Sequence, residues 1–214
     1  MKVRVSFAFV VAVFAFAWGS GVSSGMPTAK TPPAPKGFVI TPVKAAGFTF
    51  ALPETWLALD PKSQQSTVML QQVAAKNPKL SSFMTQWNSI RSSVKLWALD
   101  ASASTFASNV LVLPTPYDKS LVKQPGQVEA ALKAAMGNSV GSLNARKAKI
   151  AGVGVVEADA ILKIAAADGS PTNAYASIYF VPTKKGVIDI DYTSGTPPSR
   201  DTTLRTILHS IRLS

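Results

Sequence analysis

Two periodicities divide the chain. From Gly47, the residues Phe48, Phe50 and Leu52 alternate with Thr49 and Ala51, a two-residue repeat that predicts a half-buried strand. Pro53 and Glu54 turn the chain into a second short extended piece carrying Trp56, Leu57 and Leu59. Residues 64–76 suit a helix, with Val68, Leu70, Val73 and Ala74 as apolar positions. Asn77 followed by Pro78 predicts a stop and a restart, because asparagine caps a helix and proline fits its first turn. The next helix carries Leu80, Phe83, Met84, Trp87 and Ile90 at three- and one-residue steps, an apolar stripe suited to packing on a sheet.

Strand signals return at 94–100 and 106–113, the second ended by Pro114 and Pro116. Pro125 and Gly126 open a helix to about Met136, with Val128, Ala131, Leu132 and Ala135 on one side, and Gly137 and Asn138 close it. Strands are then predicted at 145–150, 153–165, 173–182 and 186–193. A turn at Lys184, Lys185 and Gly186 joins the last two. Residues 200–211 form a closing helix with Leu204, Ile207, Leu208 and Ile211 on one face. Strands grouped together with helices inserted early and late point to an α+β fold, a largely antiparallel sheet flanked by helices.

The first 46 residues change the picture from fold to address. Lys2 and Arg4 precede an unbroken apolar run of 14 residues, Val5 to Trp18, followed by Gly19, Ser20, Gly21, Ser23, Ser24 and Gly25. That order is a cleavable secretory signal over residues 1–25, and the run is shorter than the roughly 20 residues of a membrane-spanning helix. Residues 26–46 hold five prolines, at 27, 32, 33, 35 and 42, and read as a semi-rigid tether ahead of a single domain at 47–214. Nothing later is apolar enough to span a membrane. The absence of cysteine excludes a lipid-modified N-terminus, disulfides and thiolate metal sites. The expectation is therefore a protein secreted or held in the cell envelope. Beyond the signal, 20 Lys and Arg face 11 acidic residues, a surplus of about +9 that favours solubility or an anionic envelope partner. The basic residues are scattered rather than run together with aromatics, so no nucleic-acid partner is expected.

The opening Gly47-Phe48-x-Phe50-x-Leu52-Pro53-x-x-Trp56 resembles the start of LpqN-type bacterial exported proteins, of the PsbP-like α/β/α sandwich group. The Asn77-Pro78 helix pair, the strand at 106–113 ending in proline, and the β-meander into a terminal helix are similar too, over about residues 47–214. The resemblance implies an α/β/α sandwich in an envelope or extracellular setting, with a binding or accessory role and no catalytic residue to transfer. The chain departs from that group in lacking the lipid-attachment cysteine.

Candidate chemistry is sparse. His209 is the single histidine, which excludes two-histidine zinc motifs, and no GxSxG elbow accompanies it. Gly152-Val153-Gly154 lacks a third glycine and a following helix, so it reads as a turn or bulge. Glu157 and Asp159 share one face of a strand, and Asp189 and Asp191 share one face of another. On neighbouring strands the four could converge on a hard cation or form an acid/base pair for hydrolysis of an envelope glycan. Simple alternation with Val156, Ala158, Ile188 and Ile190 instead makes them solvent-facing, with Lys163 and the Lys184-Lys185 turn as neutralising charges. Trp97 shares a strand face with Lys95 and Leu99. It belongs to the core if that face is covered, and to an apolar or lipid-like ligand groove if the face is open. The reading that results is a non-enzymatic exported binding protein without a cofactor. Its rivals are a glycan hydrolase and a carrier of apolar ligands.

Overall fold

The long alternating segments of the C-terminal half pair as an antiparallel meander in the computed structural model, which describes residues 33–213 except 77–80, 104–105 and 166–170. β6 (Val140–Ile150), β7 (Val153–Ala165), β8 (Pro171–Thr183) and β9 (Gly186–Ser194) lie side by side. With β3 (Trp56–Leu59), β4 (Leu96–Asp100) and β5 (Asn109–Pro114) they form a seven-stranded sheet in the order β3-β4-β5-β9-β8-β7-β6. Its pairings are all antiparallel. Among the described residues four α-helices accompany the sheets: α1 (Gln64–Lys76), α2 (Ser81–Ile90), α3 (Pro125–Met136) and α4 (Thr202–Ser210). The α+β class read from the periodicities is the fold observed. The predicted signal segment and the Asn77-Pro78 restart lie outside the described residues.

Both faces of the sheet are apolar, so both must be covered. On one face Leu96, Ala98, Val112, Ile190, Tyr179 and Val181 pack against Phe48, Phe50 and Leu52 and against Leu204 and Ile207 of α4. The phenylalanines belong to β2 (Phe48–Pro53), the centre of a second sheet with β1 (Phe38–Val43) and β10 (Arg212–Leu213). On the other face α1 and α2 cover β3–β5 through Leu70, Trp87 and Ile90. The stretch from Leu121 through α3 covers β6–β8. Asp201 caps α4 by accepting from the Leu204 amide (2.9 Å), and its other oxygen accepts from the Tyr192 hydroxyl (2.8 Å), fixing the helix to the large sheet. Ser210 accepts from the Ala51 amide (2.7 Å), fixing its other end to the small one.

The structure corrects the expected boundary at Gly47. Part of the proline-rich stretch is a strand: residues 38–43 pair with 48–53, Val43 and Ala46 are buried, and Phe38 packs against the core. Prolines conceal the strand from a sequence reading, yet Pro42 is tolerated because β1 is an edge strand, where a missing donor costs no ladder bond. The β6–β7 turn shows a second local detail. Ile150 pairs with Val153, and the two turn residues Ala151 (φ 51) and Gly152 (φ 80) both have left-handed backbone. That geometry suits a tight hairpin, but Ala151 bears a Cβ cost that glycine escapes.

Two outcomes follow for stability. A mature chain begun at Lys36 folds, whereas one begun at Gly47 loses β1 and exposes β2, so it aggregates or melts far lower in a thermal scan by circular dichroism. Ala151→Asn, which places Asn-Gly in the turn, raises stability by about 0.5–1 kcal/mol in urea titrations; an unchanged midpoint refutes the turn assignment.

Candidate functional site

The four carboxylates do not converge. β8 lies between β7 and β9, so the two acidic strands are not neighbours. Register then separates the pairs by face, because directly paired residues point the same way. Glu157 pairs with Tyr179, which pairs with Ile190, and Asp159 pairs with Ser177, which pairs with Tyr192. Asp189 pairs with Phe180, which pairs with Val156, and Asp191 pairs with Ile178, which pairs with Ala158. The two acidic pairs are offset by one residue across β8 and lie on opposite faces. Among the described residues no group of three or more acidic or histidine side chains is placed to hold a metal ion.

Glu157 and Asp159 form a small ion-pair lattice. Arg146 on β6 reaches both, at 3.0 Å to Glu157 Oε1 and 2.7 Å to Asp159 Oδ2. Ser177 donates to Asp159 Oδ1 (2.7 Å) and the Tyr179 hydroxyl donates to Glu157 Oε1 (2.9 Å). Burial works against the Arg146 charge, but the Asp159 hydrogen bond and the two carboxylate charges outweigh it and hold its pKa above the ordinary value. Burial first, then the Glu157 charge, pushes the Tyr179 hydroxyl far above its usual range. The neutralising charge is thus Arg146 and not Lys163 or Lys185, whose ammonium donates to the Lys44 carbonyl (2.9 Å). The signal for it was the Arg146–Glu157 pairing of β6 with β7, legible only once the hairpin register is known.

Asp189 and Asp191 are a different kind of pair. They face the helix side of the sheet, flanked by Leu113 and Leu111 on β5 and by Phe180 and Ile178 on β8. No cation lies within ion-pair distance of either among the described residues. Asp189 Oδ1 is closed to solvent and has no hydrogen-bond partner among them, while Asp191 accepts from the Thr193 hydroxyl (3.3 Å). Burial, and secondarily the charge of Asp191, raises Asp189 well above the usual carboxylate range. Burial raises Asp191 to about 6 against the pull of the Thr193 hydrogen bond. Among the described residues, these are the carboxylic acids whose pKa is shifted up rather than down.

The face bearing Trp97 and Leu99 is closed, which corrects the reading of Trp97, Lys95 and Leu99 as a ligand groove. Trp97 (1 % exposed) stacks on Trp87 of α2 with ring centroids 6.1 Å apart, and Leu99 is fully buried beside them. Lys95 is half-buried at the strand entry, where its amide donates to the Val112 carbonyl (2.7 Å). A surface groove of about 310 Å³ lies elsewhere, lined by Pro33, Pro35, Ile40, Thr206, His209, Ser210 and Arg212. His209 is exposed there, but Ser210 cannot serve it as a nucleophile, since its hydroxyl donates to the Ile207 carbonyl (2.6 Å) and accepts from Ala51.

No protein-family model matches the sequence, so the LpqN-type resemblance is not confirmed, and no curated protein matches it. Among solved structures the chain is similar to the solution structure of cyanobacterial PsbP (CyanoP) from Synechocystis sp. PCC 6803. The two share 15% identity with a TM-score of 0.43, over 91% of this chain and 98% of that one. At that identity and score the likeness decides neither chemistry nor partner.

The buried acids give stability a distinctive pH dependence. Each folded-state pKa exceeds the unfolded value near 4, so the folded protein binds more protons there, and stability falls as pH rises. For Asp191 the loss runs from about pH 4 to about 6, and Asp189 extends it upward. Asp189→Asn is therefore more stable than the parent at pH 7 by on the order of 1–3 kcal/mol, with the gap closing toward pH 4. Urea titrations from pH 4 to 8 read this, and parallel stability curves for the two proteins contradict it.

Proposed function

We propose that the mature chain is an exported domain that acts by binding a partner in the cell envelope or outside the cell, without catalysing a reaction. The observation that carries this reading is the fate of the carboxylates. Glu157 and Asp159, the more accessible pair, are occupied by Arg146, Ser177 and Tyr179. An acid/base reaction needs at least one carboxylate free to reach substrate. Export is supported by the order of Lys2 and Arg4, the apolar run and the small residues after it. The absence of cysteine favours release or peripheral association over lipid anchoring.

A second reading keeps one specific support. Asp189 and Asp191 stand two residues apart on one strand face, which spaces their Cα atoms by roughly 7 Å. The Asp189 shift is in the direction that a general acid requires. Against it, Asp189 Oδ1 is sealed from solvent among apolar neighbours.

The deciding experiment expresses the full chain in a bacterial host and isolates the processed protein from medium and envelope fractions. The protein is then incubated with purified envelope glycan. Binding without release of reducing ends is the expected result. Retention of the unprocessed chain in the cytoplasm overturns the export reading. Glycan cleavage that disappears in a folded Asp189→Asn variant overturns the binding reading in favour of the hydrolase.

A further inference from the structure

The antiparallel meander brings several turns to one end of the seven-stranded sheet. The β6–β7 turn at Ala151 and Gly152 and the β8–β9 turn at Lys184 and Lys185 both lie there, two strand spacings apart, or about 10 Å. Lys149 stands one residue before the close of β6 and is exposed, as are Lys184 and Lys185. The β1–β2 turn of the small sheet joins them, because the Lys185 ammonium donates to the Lys44 carbonyl at 2.9 Å. Four exposed lysines, Lys44, Lys149, Lys184 and Lys185, thus come from two turns and the end of β6 to one rim.

Among the described residues carboxylates are sparse at this rim and none pairs with its lysines. Asp189, the nearest on β9, points among apolar side chains on the helix-covered face. Asp118, in the loop after β5, is turned back on the Ser120 amide at 2.7 Å. Asp60 follows β3 at the opposite edge of the sheet, and Asp100 closes β4 at the other end. None of the four lysines has a carboxylate within ion-pair distance among the described residues.

We infer that this rim is a docking surface for a linear, phosphate-bearing anionic polymer met after export. The inference rests on the binding reading above and names its partner's chemistry. The charges follow the row of strand ends, which fits an extended chain. All four are lysines, which bind phosphate oxygens as point charges from any direction. Among the described residues the exposed large hydrophobics are Val39, Val68, Met69 and Tyr117; only Tyr117, in the loop after β5 and packed on Phe180, lies at this end of the sheet, so the lysine-bearing segments themselves present no large apolar side chain for a bilayer.

The test uses the mature protein and long-chain inorganic polyphosphate, with binding followed by fluorescence anisotropy as salt is raised. Replacing the four lysines together by glutamine lowers affinity at least tenfold and flattens the salt dependence. A control with Lys36, Lys76, Lys163 and Arg205 replaced by glutamine has the same net charge and changes affinity less than twofold. Thermal melts of both variants confirm that each is folded. Equal loss in the two variants, no binding by the parent, or tighter binding to anionic phospholipid vesicles or to linear polyglutamate at equal charge overturns the inference. If polyphosphate fails while processed protein still binds purified envelope material, only the rim assignment falls and the binding reading stands.

Discussion

β8 imposes the constraint on which the rest of the structure depends. Ala174 and the run from Ala176 to Val181 are buried on both faces of the sheet, with Ile178 and Phe180 on one side and Tyr179 and Val181 on the other. A strand apolar on both faces is stable only if two separate covers arrive, since exposing either face forfeits about 1.5–3 kcal/mol for each large side chain. The helix cover is assembled from α1, α2 and α3. The other cover needs α4 and the small sheet together, and that sheet recruits both ends of the domain as β1 and β10. The end of the chain and the stretch preceding the expected domain are therefore parts of the core.

Most elements were legible because each helix packs one apolar stripe on the sheet and the long strands carry extended apolar stretches. The helices at 64–76 and 125–136 and the strands beginning at 153 and 186 start and stop at or close to their expected positions. What was hidden shares a physical cause. β1 carries Pro42 and is an edge strand, and the first five residues of β6 include the exposed Gly141, Ser142 and Asn144, so their patterns are those of loops. Edge strands need no continuous apolar face and are protected by other means. On β6 the Glu129 carboxylate of α3 accepts the Ala145 amide (3.1 Å) while its other oxygen holds Lys133 (2.6 Å), capping an edge donor from the helix above. The three-stranded sheet was not legible at all, because it depends on pairings between residues near 49 and residues near 212.

The acidic residues show where alternation stops informing. Both pairs have the same two-residue spacing, and period alone assigns them the same environment. Strand order and a one-residue offset across β8 give them opposite ones. One pair meets Arg146 and two hydroxyl donors, so its charges are kept. The other meets four large apolar side chains, so burial pushes both of its pKa values up. A carboxylate buried without a partner costs stability, which separates Asp189 from residues whose identity packing alone explains.

The lysine turns pose the complementary question of charge that folding does not require. A tight turn needs residues that tolerate its backbone and water, and serine, asparagine or glycine meet that need without charge. Edge protection does not require Lys184 and Lys185 either, since β8 and β9 are interior strands with partners on both sides. Adjacent like charges repel, and Lys44 lies against Lys185 across the two sheets, so the folded state gathers charges that the unfolded chain keeps 141 residues apart. The cost is small at physiological salt, where charges on exposed side chains are screened within about 8 Å. It still has the wrong sign for stability. Packing accounts for Trp97, ion pairing for Glu157 and Asp159, and edge capping for Glu129. Of the rim lysines, Lys185 is held by its bond to the Lys44 carbonyl, and the charges of Lys44, Lys149 and Lys184 are ones that the fold pairs with no carboxylate among the described residues.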